Sequence, residues 1–303
     1  MALYTTLASL SQTAASNVAD GATDAPSTID QQTNLLASFI AQLRDGVGLT
    51  TGVGYLAQCR LTKSGANLLL SRYNGVGLTI NGVAYAIPSA GITLAPTALS
   101  VGTLYYIYAY MNAGVMTLEA STTGHSTDTA SGIEIKTGDA TRTLVGMARP
   151  ITGPAWTDTV TQRFVVSWFN PQALTLNNAI TGNLPASNTT YVELDSSKRI
   201  EFLSWSGKAV NATAALTGTN SVIGANMVVS IGFDGTTAQD IGGFKTQAGT
   251  GEFVQLFAQA NNSTLSEGYH YATMLERQTG GTTTWQGGAT VGERCAITGV
   301  IQG

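Results

Sequence analysis

The feature that most constrains this chain is a two-residue alternation broken by glycine-bearing turns. Leu78, Ile80, Val83, Tyr85 and Ile87 are spaced by small or polar residues on either side of Asn81-Gly82. A period of two places one set of side chains on one face of a strand. Asn-Gly supplies the two positive-φ positions of a type I′ turn, so this stretch specifies a β-hairpin. Asn74-Gly75 marks another turn just upstream, and Pro88 and Pro96 bracket a short strand over 92–94. Residues 104–111 and 115–120 form a second hairpin turning at Asn112, Ala113 and Gly114. Strands around Ile133 and Ile135, then Leu144, Val145 and Met147, complete an antiparallel β-domain over 49–150.

The rest of the chain divides around that domain. Residues 1–48 are expected to be an arm followed by one α-helix over 28–44, with Ser27 as N-cap, Asp30 in the first turn and Gly46 as the stop. Ile29, Leu36, Phe39, Ile40 and Leu43 lie on its apolar stripe, which must be covered by a β-domain, by copies of itself or by another protein. Residues 151–172 form a connector opened by Arg149-Pro150 and Gly153-Pro154, and Trp156, Trp168 and Phe169 there are expected to pack between domains or subunits. Residues 173–303 carry strands at 190–194, 200–205, 227–233, 251–258, 268–277 and 296–301, at the spacing of a sandwich. With one or two strands unplaced, the expectation is a jelly-roll-like β-sandwich, so the fold class is mainly β.

Composition narrows the function. Charged residues are 11% of the 303, against about 25% in typical soluble domains. With so little surface charge, burial against identical partners is one route to solubility, which favours a homo-oligomer. The net charge of −4 comes with no block of Lys or Arg, whereas binding to duplex nucleic acid rests on basic patches, so no nucleic-acid partner is expected. Cys59 and Cys295 fit no metal spacing and are expected as free thiols. No secretory signal and no apolar run long enough to span a bilayer is seen in the sequence, which points to assembly in a cytoplasm without membrane insertion.

No catalytic, cofactor or metal site is expected. His125 lies in a Ser/Thr/Gly loop, His270 alternates with Tyr269 and Tyr271, and there is no G-x-S-x-G elbow. Glu193 and Asp195, two apart on an expected strand, would sit about 6.6 Å apart by strand rise. That is near the separation used by inverting glycosidases, but an ion-paired surface with Lys198 and Arg199 is the default. Trp205, Tyr269, Tyr271 and Trp285 are candidate receptor contacts, or else core.

The stretches Leu78-Thr-Ile-Asn-Gly-Val-Ala-Tyr-Ala-Ile-Pro88, Gly102-Thr-Leu-Tyr-Tyr-Ile-Tyr-Ala-Tyr110, Leu118-Glu-Ala-Ser-Thr-Thr-Gly-His-Ser126 and Gly138-Asp-Ala-Thr-Arg-Thr-Leu-Val-Gly-Met-Ala-Arg-Pro150 resemble a family of tailed-bacteriophage virion proteins. The segment from Asp20 to Gly46 is similar to the attachment ends of phage fibres, and 173–303, more loosely, to the tips of fibres and head appendages. The resemblance implies a virion appendage, a tail fibre or receptor-binding protein anchored by its N-terminus. It also implies trimers, contacts with other virion proteins and a host surface glycan or protein as partner. A capsid decoration or head-associated protein is the alternative, followed by a polysaccharide-degrading spike.

Overall fold

A computed structural model describes Leu36, 56–239, 241–288 and 293–303. The expected arm and helix, with Ile29, Phe39, Ile40 and Leu43, lie outside the described residues. Leu36 alone is described, with helical backbone and an exposed side chain. The rest of the described chain is mainly β-strand.

Strands β1 (Cys59–Ser64) and β2 (Asn67–Arg72) form a hairpin, and the third member of their sheet, β5 (Ile92–Leu94), pairs with the other edge of β2. Between them β3 (Gly77–Ile80) and β4 (Val83–Ala86) pair across Asn81 and Gly82, whose φ values of 50° and 73° are those of the expected turn. Next, β6 (Tyr105–Asn112) and β7 (Val115–Ser121) turn at Ala113 and Gly114, both at positive φ. Strands β8 (His125–Thr127), β9 (Glu134–Lys136) and β10 (Asp139–Ala148) complete a sheet of order β7-β6-β10-β9-β8.

The central strands of that sheet, β6 and β10, are buried on both faces. Tyr105, Ile107, Ala109, Met116, Leu118, Val145 and Ala148 pack on Leu61, Leu68, Leu70, Leu78, Ile80 and Ile87 beneath β1–β5. Tyr108, Leu144 and Met147, at the intervening positions, join the core of the C-terminal unit. Burial on both sides explains why 104–111 is almost continuously apolar instead of alternating.

The connector holds four short strands that tie into both neighbours. β11 (Pro150–Ile151) pairs with β12 (Ala155–Trp156), and the Trp156 Nε1 donates to the Leu94 carbonyl at 2.9 Å. β13 (Gln162–Arg163) runs parallel to a C-terminal strand, while β14 (Val165–Ser167) pairs antiparallel with β10. The sequence indicates one strand from 163 to 169, but a switch of partner at Phe164 divides it in two. Trp156 and Phe169 pack in the first core and Trp168 against the second.

From 173 onward come β15 (Ala173–Ala179), β16 (Leu184–Ala186), β17 (Val192–Glu193), β18 (Ile200–Ser204), β19 (Val210–Asn220), β20 (Asn226–Phe233), β21 (Gly243–Thr246), β22 (Val254–Asn262), β23 (Gly268–Gln278), β24 (Thr283–Trp285) and β25 (Ala296–Gln302). One sheet has the order β15-β25-β19-β22 and the other β18-β23-β20-β21, all antiparallel. Beyond these, β16 and β24 extend one end of β19, β17 lies on β23 and β13 on β18. Residues at period two from each sheet, including Ile200, Phe202, Ala212, Ala214, Leu216, Val229, Ile231, Met274 and Ile297, fill the space between. At about 1.5–3 kcal/mol per buried large apolar side chain, this core supplies most of what holds the unit together.

Candidate functional site

The alternation of β23 turns His270, Ala272 and Met274 inward and leaves Tyr269, Tyr271 and Thr273 on the outer face of its sheet. Each tyrosine there carries an arginine. The Arg199 guanidinium lies 3.8 Å from the centre of the Tyr271 ring, and Arg149 lies 4.2 Å from that of Tyr269. Such cation–π contacts are worth about 0.5–1 kcal/mol each at an exposed site. Arg149 arrives from the end of β10, where its Nε donates to the Gly102 carbonyl at 2.9 Å, so the middle unit supplies one of the two cations.

Carboxylates fix these arginines and tyrosines. Arg199 donates from Nε and Nη2 to the two oxygens of Glu193, both at 2.7 Å, and Thr273 donates to the same carboxylate at 2.6 Å. Burial alone would raise the Glu193 carboxyl, but Arg199 and Thr273 outweigh it and hold the group below the usual carboxylate range. The Tyr269 hydroxyl donates to Glu201, whose other oxygen accepts from Gln162 Nε2 at 2.6 Å. Burial first, then the Glu201 carboxylate, push the Tyr269 phenol up.

Beside this row is a cavity of about 360 Å³ lined by Thr161, Gln162, Asn178, Ser196, Ser197, Arg199 and Glu201. Its floor is shaped by a single 3₁₀ turn, Ser196–Lys198, capped by Asp195, which accepts from the Ser197 backbone N–H at 2.8 Å and from its hydroxyl at 2.7 Å. Glu193 thus pairs with Arg199, as the ion-paired reading expects, but β17 ends at Glu193 and Asp195 caps the turn beyond it, so the two do not share a strand face.

Of the four aromatic candidates, the structure brings Tyr269 and Tyr271 together on one face and withdraws the other two. Trp205 is 3% exposed, donates from Nε1 to the Ser167 carbonyl at 3.2 Å and stacks edge-on against Trp168 at 4.8 Å. Trp285 is fully buried between the sheets. Neither reaches a ligand at the surface: Trp285 lies in the core between the sheets, and Trp205, one residue past β18, is covered by Trp168 and His125. Gln162, Glu201 and Arg149 escaped the sequence reading. The alternation Ile200-Glu201-Phe202 carries a signal for Glu201, while Arg149 and Gln162 enter only through the tertiary fold.

A second cluster, also unforeseen, sits where the middle and C-terminal units meet. His125 of β8 contacts Glu134 of β9 through Nδ1 at 2.5 Å and Glu267 of the C-terminal unit through Nε2 at 3.1 Å. The Tyr106 hydroxyl donates to the other Glu267 oxygen at 2.6 Å. Tyr106, Trp168 and Trp205 surround the imidazole at 5.6, 5.5 and 5.9 Å between ring centres. The hydrogen bond to Glu267 raises the imidazole to about 8 against the opposing effect of burial, with Glu134 adding to the rise. Burial would raise Glu267, but His125 and Tyr106 hold it low. The site is thus a carboxylate–imidazolium–carboxylate clamp across the seam.

No family model and no curated protein matches this chain. Among solved structures it is similar to the VP2 subviral particle of infectious bursal disease virus, with a TM-score of 0.31 and 12% identity over 67% of this chain and 53% of that one. It is similar also to T=1 particles derived from the same virus, with a TM-score of 0.32 and 14% identity over 86% and 75%. The insecticidal delta-endotoxin Cry8Ea1 from Bacillus thuringiensis gives a TM-score of 0.24 and 10% identity over 87% and 55%. The chain thus spans about half the length of the first of these. Likeness this distant assigns neither a fold family nor a function.

Proposed function

We propose that this chain is a non-enzymatic structural protein of a bacteriophage particle. In this reading it is a homo-oligomeric, trimeric appendage anchored by its N-terminal segment, with the C-terminal unit facing the host surface. The observation that carries the outward-facing role is the row of Tyr269 and Tyr271 under Arg149 and Arg199, beside a polar cavity of about 360 Å³. Amides, hydroxyls and charged groups in that cavity both donate and accept, as sugar hydroxyls do. The ligand class this favours is a host surface glycan.

Strand order supports a jelly-roll reading of the C-terminal unit. Numbering its eight main strands β15, β18, β19, β20, β21, β22, β23 and β25 as first to eighth, the sheets run first-eighth-third-sixth and second-seventh-fourth-fifth. That is the pairing produced when a long antiparallel hairpin is rolled into two sheets. The resemblance over about 15–170 supports the virion setting. Gold-labelled antibody against the chain, applied to purified particles and combined with its copy number, tests the proposal. Label at the distal ends of appendages is expected. Label on capsid local axes would make it a decoration protein, and absence of the chain from particles would overturn the virion reading.

A further inference from the structure

The two outer faces of the C-terminal sandwich have opposite chemistry. The face of β18 and β23 carries Glu193, Glu201 and Arg199, as described. The face of β15, β25, β19 and β22 has no charged side chain at its outward strand positions. Its outward positions, in rows across the strands, are Thr175–Val300–Asn211–Asn261, Asn177–Thr298–Thr213–Gln259 and Ala179–Ala296–Ala215–Phe257, with Ala173–Gln302 and Thr217–Gln255 at the two ends. These sixteen side chains include no Asp, Glu, Lys or Arg. At one edge the face turns apolar. Phe257 is 58% exposed, Phe253 just before β22 is 65% exposed, and Ile241, bridged to Gln259, is 57% exposed.

We infer that this face is the contact between copies of the chain, an assignment that rests on the self-association proposed above and names the surface that makes it. Surface closest to a symmetry axis meets its own image. A charged side chain there opposes its own copy, whereas Asn, Gln and Thr donate and accept at once and pair with themselves. The neutral face is therefore self-compatible, and the arginine- and glutamate-bearing face is not. Four strands at about 4.8 Å spacing and seven residues at about 3.3 Å rise give a flat projection of about 440 Å². Side-chain relief and the Phe253, Phe257 and Ile241 edge extend this toward the roughly 800 Å² per partner of a stable interface. No ion has to be stripped of water on this face, and its amides and hydroxyls offset their desolvation by pairing with those of the other copy.

Sedimentation equilibrium on the full chain tests the assignment, using Asn211→Asp with Gln259→Glu, a pair that adds two charges without changing side-chain volume, and Ser206→Glu in an exposed turn as control. Circular dichroism checks that each variant is folded. The wild type is expected to associate, the double variant to dissociate about tenfold or more readily, and the control to match the wild type, since like charges brought face to face oppose docking. A folded double variant that associates within less than tenfold of the wild type overturns the face while leaving self-association standing. A wild type that stays monomeric at every concentration overturns both. If the double variant fails to fold, Thr298→Lys on the same face is read by the same criterion.

Discussion

At neutral pH His125 is protonated between Glu134 of its own sheet and Glu267 of the C-terminal unit, and replacing it by glutamine measures what the clamp contributes. Its folded value of about 8 lies above the ordinary 6.5. A rise of that size corresponds to about 2 kcal/mol of preferential stability for the folded, protonated form. The imidazole is 17% exposed, so solvent screens this little. The sign follows from the direction of the shift. The contribution is fully present below pH 6.5, declines as pH rises, and is lost above the folded value near 8. Urea unfolding of wild type and His125→Gln at pH 6 and pH 9 reads it directly. The stability gap between them is expected to shrink by about 2 kcal/mol between those two pH values. Proton NMR, with the His125 signal assigned by its loss in the variant, should give a midpoint near 8. A gap constant to within about 0.5 kcal/mol, or a midpoint at the ordinary value, would refute the clamp.

Two further predictions concern the core. Gly146 lies at a register shift in β10, where an added Cβ would come within 2.5 Å of both the Val166 carbonyl oxygen and the Leu61 side chain. Gly146→Ala is expected to cost about 1–3 kcal/mol, and a thermal midpoint equal to wild type would show that β14 can yield there. Burial pushes the Cys59 thiol up to about 12 and the Cys295 thiol up to about 11. Neither should react with a disulfide reagent at pH 8 in the folded protein, and both should react in denaturant; fast labelling of the native chain would contradict their burial.

What the sequence made legible follows the strength of its periodicity. Asn81-Gly82 and the Ala113-Gly114 turn are written in residue types that few other conformations use, and both hairpins occur where expected. Strand β19, the centre of the neutral sheet, was missed altogether. Its inward set is Val210, Ala212, Ala214 and Leu216, and two alanines among four positions flatten the alternation that marks a strand. Ala212 and Ala214 are nonetheless buried in the core between the sheets, a role visible only after the sheets are packed. The tyrosines of β23 could be placed on one face by counting in twos, but nothing local says that Arg149 and Arg199 cover them. The clamp was still less accessible, because His125 and Glu267 are brought together over a separation of 142 residues.

The same packing sets a limit on how the chain can be divided. A cut at 173 follows the connectivity of strands, since β15 begins there, but the hydrophobic core crosses it. Leu144 and Met147 of β10, with Phe164 and Val166 of the connector, are fully buried in the cluster that holds Phe202, Ile231 and Met274. At about 1.5–3 kcal/mol for each such side chain, their removal withdraws about 6–12 kcal/mol of apolar burial, comparable to the whole net stability of a typical domain. Arg149 over Tyr269 and Glu267 on His125 cross the same seam, so the outer aromatic row is itself assembled from both sides of it. Expressing 173–303 alone would therefore remove part of the candidate ligand face along with part of the core. A loss of binding in that fragment would report on the seam before it reported on the ligand. Substitutions in the full chain, at Tyr271 or Gln162, avoid that confusion because they leave the shared β6–β7–β10 layer in place.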